Sequence, residues 1–295
     1  MIVQLAFALY LLCILKRLFV DRKQNDLPLP PEPKGLPLVG NLNHLPPEGV
    51  PQYQHRFKHK DQYGVLSSVT VLGQTMVIVH DKQVAFDLME KRASVQPGRL
   101  VMKLGFDVCG WINAMSSQAL TPTHRLYRKY AHQQLGTKAM VARYSMLQEA
   151  VLGRFLWRFS RDKGENVERH LKTEAAEVML KMLYNHSIEP HDSDPLVQEV
   201  DKAMAQFTEA VVPGKWLVDV IPALEYLPDW LPGARFKQTA RPWNRTLLNV
   251  VDVPYGFAKK RVLRGQVGVS VVSNSIEQLQ GEGGFGAEAE HGIKW

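Results

Sequence analysis

The stretch from Leu27 to Gly40, Leu-Pro-Leu-Pro-Pro-Glu-Pro-Lys-Gly-Leu-Pro-Leu-Val-Gly, constrains this chain more than any other. Its five prolines fix φ and remove amide donors, so it reads as a stiff spacer that neither helix nor sheet can absorb. Ahead of it lies a short apolar segment ending in basic residues, and behind it a long stretch of mixed, globular composition. That order describes a tethered domain on a proline hinge.

Met1 to Leu15 carries no charge and only Gln4 is strongly polar, after which Lys16, Arg17, Arg22 and Lys23 crowd together. A helix of that length covers about 22 Å of a bilayer core roughly 30 Å thick, so a span has to take in Leu18-Phe19-Val20 while Lys16 and Arg17 snorkel. No positive charge precedes the apolar run and no small-x-small site follows it, which favours an anchor over a cleaved signal peptide. The basic flank places the N-terminus in the lumen and the rest in the cytosol. The expected division is an anchor over 1–20, a hinge over 21–50 and a domain over 51–295.

A chain of 295 residues with 45% hydrophobic content can bury a substantial core. Its formal charge of +7 favours anionic partners without choosing among them. Two cysteines, Cys13 and Cys109, make no disulfide framework, and no cysteine or histidine cluster has zinc spacing, so no metal site is expected.

The expected fold is mainly α with a small antiparallel β element. Gln52 to Tyr63 is a polar helix candidate ending at Gly64. Val65–Leu72 and Thr75–Val79 are rich in β-branched residues and are separated by Gly73-Gln74, which suits a type II′ hairpin. Asp81 can cap a helix over Lys82–Arg92, and Pro97-Gly98 turns the chain into an irregular stretch reaching Leu120. Helical spacing then recurs in Leu147, Val151 and Phe155, in Leu171, Ala175, Val178, Met179 and Met182, and in Leu196, Val200, Ala203, Met204 and Phe207, which reads as amphipathic helices of one core. Prolines 213, 222, 228 and 232 interrupt an aromatic, apolar region over Val211–Phe236, read as a core-covering loop or a shallow membrane contact. A basic helix is expected over Asn244–Arg264 and a flexible acidic end over Gly281–Glu290.

No residue from Val108 to Gln148 is acidic, while Arg125, Arg128, Lys129, Lys138 and Arg143 supply positive charge beside His124 and His132. On a helix starting after Pro122, His124 and Arg128 stand at i and i+4 on one face, where an Arg fork can grip a carboxylate or phosphate; the alternative is a solvated basic face. No aromatic residues interleave the charges in a stacking pattern and no known motif appears, so no nucleic acid partner is expected. Gly-x-Ser-x-Gly, Gly-x-x-x-x-Gly-Lys and His-Glu-x-x-His are all absent, and no catalytic residue is assigned. Asn185 and Asn244 stand in glycosylation sequons that the cytosolic topology leaves unmodified.

The anchor, the hinge ending Pro-Leu-Val-Gly-Asn, the hairpin, the His-Arg-Leu-Tyr-Arg-Lys helix and the aromatic loop occur in an order that resembles the N-terminal half of a fungal microsomal cytochrome P450. The resemblance implies a partial cytochrome P450 fold over 51–295, with haem as cofactor. Position by position, the family's Trp-x-x-x-Arg helix, which meets the haem propionates, corresponds to His124 and Arg128. Residues 96–117 resemble its first substrate-contacting segment and Val211–Phe236 its access region. The resemblance further implies oxygen insertion into an apolar small molecule, as in fungal secondary metabolism, with NADPH-cytochrome P450 reductase as electron donor at the endoplasmic reticulum membrane.

The family's iron is held by a cysteine in a Phe-x-x-Gly-x-Arg-x-Cys-x-Gly loop, which this sequence lacks. Around Cys109, Met102, Asp107 and Trp111 replace the loop's phenylalanine, arginine and second glycine. Glu-x-x-Arg and the proton-delivering Gly-x-Asp/Glu-Thr-Thr segment are missing as well. The expectation is a truncated, inactive monooxygenase homologue. The alternative is a non-catalytic, membrane-tethered binding protein for a lipid-like ligand or a partner, with a separate chain supplying the missing half as a third reading.

Overall fold

The computed structural model describes residues 28–295 except 38, 48–49, 72, 94, 96–97, 99–101, 189–193, 213 and 267–268. The anchor expected over 1–20 lies outside the described residues; among the described residues no helix is long and apolar enough to cross a membrane. The chain forms two compact units, one up to residue 97 and one from residue 98 onward.

In the first unit, β1 (Leu66–Val71) pairs antiparallel with β2 (Gln74–Val79), from Leu66 opposite Val79 to Val71 opposite Gln74. This register puts Gln74 in the strand and Gly73, with φ 75°, second in the two-residue loop, whereas a type II′ turn has its glycine first. The proline-rich segment is also corrected. It lies along β1, where Ser68 donates its N–H to Pro31 O at 2.9 Å and its hydroxyl to Pro30 O at 2.6 Å. A proline loses its donor but keeps its carbonyl, so such a segment can still serve as acceptor for an edge strand. Asn41, fully buried, fixes its end by accepting from Thr70 N–H at 2.8 Å and donating to Pro33 O at 2.6 Å. Only glycine fits beside it, since a Cβ on Gly40 would fall 2.1 Å from Thr70 O.

The polar helix expected over 52–63 is two short ones, α1 (Gln52–Phe57) and α2 (His59–Tyr63), ended by Gly64 at φ 85°. They bury cations: Arg56 is 4% and His59 2% exposed. Ser67 Oγ stands 2.9 Å from His80 Nε2 and 3.4 Å from His59 Nδ1. Burial, and then the charges of Arg56, His80, His55 and Lys58, hold the His59 pKa below its ordinary value. The unfolded chain therefore takes up a proton below about pH 6.5 that the folded unit refuses, so stability is full above that pH and falls below it, by at most roughly 1.4 kcal/mol per pH unit. The protection factors of the β1 amides, which take out the intrinsic pH dependence of exchange, should fall from about pH 6.5 towards 5 in the wild type and stay flatter in His59→Gln. Equal pH dependence in both would contradict this. Downstream, Asp81 caps α3 (Lys82–Phe86) by accepting from Val84 N–H at 2.9 Å, and a π turn over Asp87–Lys91 replaces the last part of the expected helix.

The second unit is helical. Thr121 accepts from His124 N–H, with Pro122 in the first turn, and starts α4 (Pro122–Leu135); Thr137 caps α5 (Lys138–Ala142) in the same way. Next come α6 (Ser145–Arg161) and α7 (Val167–Tyr184), the latter closed by Asn185 in the left-handed region. Asp194 and Pro195 begin α8 (Pro195–Ala210), and the short α9 (Leu217–Val220) follows. Then α10 (Arg235–Leu263) runs 29 residues, ahead of α11 (Val271–Gly281) and α12 (Ala287–Lys294).

Two expectations fail here for physical reasons. The helix expected from Asn244 begins at Arg235 and carries Pro242 and Pro254 inside it. Burial of Phe236, Ala240, Leu247, Tyr255 and Ala258 along one face outweighs the bonds those prolines forfeit. The acidic end, expected to be flexible, turns over 282–286 and is helical from Ala287. Ala289 and Gly292 are buried, Glu290 pairs with Lys259 at 2.5 Å, and Lys294 pairs with Asp252. Two apolar clusters form the core, Leu104, Cys109, Ala210, Val218, Phe236 and Ala240 in one, and Tyr255, Ala258, Val272 and Ile276 in the other. Met146, Leu152 and Leu156 of α6 and Leu171 and Met179 of α7 stay exposed.

Candidate functional site

The 14-residue α4 divides its faces by residue type. Tyr127 and Gln134 turn inward and are buried. His124, Arg128 and His132, spaced four apart, line one groove of about 660 Å³ together with Lys129, Met115 and Ser116. His124 Nδ1 is buried and has no hydrogen-bond partner, and Arg128 makes no ion pair among the described residues. Two donors at i and i+4, one desolvated and one with a planar fork, suit an incoming carboxylate. Thus the structure brings His124 and Arg128 to one groove, and adds His132, which the sequence places beside them, and Met115 and Ser116, from the 96–117 segment whose resemblance implies substrate contact.

The stretch before α4 is ordered around an acid that sequence reading passed over. Lys103–Val108 forms a π turn in which Leu104, Gly105 and Phe106 are buried. Asp219, from α9, accepts from Leu104 N–H at 2.8 Å, and burial raises its pKa. Lys103 joins Glu225 at 2.8 Å and Asp107 at 2.5 Å. Trp111 lies over Phe207 with ring centroids 4.5 Å apart, and Phe106 meets the same ring edge-on. Asn244 Nδ2 donates to Cys109 O at 3.0 Å, so that sequon amide is engaged within α10. In the 211–236 region, Tyr226 is 84% and Trp230 80% exposed, whereas Trp216 packs edge-on against Trp243.

Cys109 is fully buried in the core, and burial, then the charge of Asp219, pushes its thiol up to about 12. A thiol so disposed stays protonated and packs as a small apolar side chain. Cys13 lies outside the described residues. Among the described residues no group of three or more His, Cys, Asp or Glu is placed to hold a metal ion. The sequence also contains Gly281-x-Gly283-x-x-Gly286, but it joins α11 to α12 and follows no strand, so the dinucleotide-binding context is missing.

The sequence matches the cytochrome P450 family over residues 30–242. It is 41% identical over 266 residues to cytochrome P450 monooxygenase CLM2 of Gibberella zeae, covering 90% of this chain and 50% of that protein. It is 39% identical over 278 residues to the multifunctional cytochrome P450 monooxygenase af510 of Aspergillus fumigatus, covering 92% and 51%. To cytochrome P450 monooxygenase ppsD of Aspergillus oryzae it is 34% identical over 294 residues, covering 100% and 55%. The chain spans about half the length of the curated relatives it matches. A family match over most of the sequence, reaching from the proline segment through α4 and into α10, means that this chain belongs to the cytochrome P450 family.

Proposed function

We propose that the chain contributes the carboxylate clamp and the apolar substrate walls of a haem-dependent monooxygenase, and that these 295 residues alone do not carry out the reaction. When bound, the haem supplies dioxygen activation, which no side chain of the protein can provide. His124 and Arg128 hold its propionates, and the buried, partnerless Nδ1 of His124 beside Arg128 is the observation that carries this reading. The Leu104–Cys109 turn and the Trp111–Phe207 pair exclude water from an apolar small-molecule substrate, of the kind oxidised in fungal secondary metabolism.

The same reading assigns residues 1–20 to a single membrane span in the endoplasmic reticulum, 21–50 to the hinge and 51–295 to the cytosolic part of the domain. The exposed Tyr226 and Trp230 suit a second, shallow contact with the bilayer. NADPH-cytochrome P450 reductase is the electron donor in this scheme, and the acid-free stretch from Val108 to Gln148 suits its acidic face.

Haem titration followed by Soret absorbance tests the clamp. Removing one charge-assisted contact weakens binding by about tenfold or more, so Arg128→Leu should raise the dissociation constant by that factor. His124→Ala should weaken it less. An Arg128→Leu affinity equal to that of the wild type would overturn the assignment.

A further inference from the structure

Among its described residues, the first unit contains a buried charge without a counter-charge. Arg56 is 4% exposed, and its Nε, Nη1 and Nη2 are all buried with no hydrogen-bond partner. A guanidinium cannot shed its proton in a protein, so burial cannot be relieved by neutralisation as it would be for lysine or histidine. Nor does a carboxylate answer it among the described residues, where Arg56 takes part in no ion pair and the charges acting on the neighbouring His59 are basic. His59, 2% exposed, feels the charges of Arg56, His80, His55 and Lys58, and no acid is among the groups acting on it. His59 and His80 converge on the buried hydroxyl of Ser67. Buried charges in folded proteins are paired, so this one requires an anion.

We propose that Arg56, with His59 beside it, is a binding site for a small oxyanion of the carboxylate class. The planar fork offers a carboxylate two parallel donors, and His59 adds a third from the neighbouring turn. The site belongs to the first unit, where α1 adjoins α2 and α2 packs on β1. Arg56 held no interest as sequence, since an arginine in a polar helix is read as solvated.

The test compares the full chain in sodium acetate and in sodium chloride at matched ionic strength, reading amide exchange across β1 and β2 and the melting temperature. Acetate should slow exchange in β1 and β2 in a saturable manner and raise the melting temperature of the unit by about 2–8 °C. Arg56→Met, close in volume and uncharged, should melt higher than the wild type in chloride and show no acetate response. An acetate effect that grows linearly without saturation, or that persists in Arg56→Met, would overturn the proposal, as would wild-type exchange identical in the two salts. Should Arg56→Met fail to fold, the acetate and chloride titrations of the wild type decide the matter alone.

Discussion

Replacing Glu177 by alanine is expected to cost the helical unit about 3–5 kcal/mol, the largest single-site loss in the molecule. Glu177 projects from α7 and is 1% exposed, with Arg154 Nη2 at 2.5 Å and Arg158 Nη1 at 3.4 Å, both from α6. Arg154 keeps part of its hydration, so most of the loss falls on Arg158, which is nearly buried and would be left without a counter-charge. Lys181 and Arg261 lie close enough for burial, Arg261 and Arg154 to lower the Lys181 pKa, with Glu177 opposing them. Without the glutamate the helices would hold like charges together. The urea midpoint of Glu177→Ala should drop sharply, whereas Glu177→Leu combined with Arg158→Met should recover most of the loss because neither charge remains. A single-variant loss below about 1 kcal/mol would show that the triad is water-filled and unimportant to the packing.

The second large effect concerns the buried turn over Lys103–Val108. Asp219→Ala should leave the amide of Leu104 buried without an acceptor, at a cost of about 1–3 kcal/mol. Two residues separated by 115 positions are joined there, so the loss is local: Leu104–Cys109 should detach from α9 while the helices stay folded. Amide exchange at Leu104 and Phe106 should accelerate by about tenfold or more. Asp219→Asn, which keeps a carbonyl acceptor in place, should lie between the two. Unchanged exchange in Asp219→Ala would mean that Lys103, through Glu225 and Asp107, holds the turn by itself.

What could be read in the sequence was local. Runs of β-branched residues mark β1 and β2, Asp81 sits where a cap must sit, and helical spacing finds α6, α7 and α8. His124 and Arg128 were legible for the same reason, since i and i+4 on a helix always share a face. The failures share a cause of the opposite kind. The start of α10 reads as Asn244 instead of Arg235 because what carries the helix through Pro242 is a buried face shared with distant helices. Gly281–Glu290 reads as flexible because Lys259 and Asp252, which hold α12, lie far back in the chain. Asp219 and Glu177 are buried by tertiary packing that no local pattern announces. The orphaned nitrogens of His124 and Arg56 are visible only once every neighbour is placed.

The most direct test of the account is an absorbance spectrum of the intact 295-residue protein with haem, reduced with dithionite under carbon monoxide. With Cys109 buried and protonated and no other thiol in the described residues, the account predicts no cysteinate-type Soret band, and a spectrum unchanged by Cys109→Ala. A cysteinate-type band in the wild type that disappears in Cys109→Ala would contradict it.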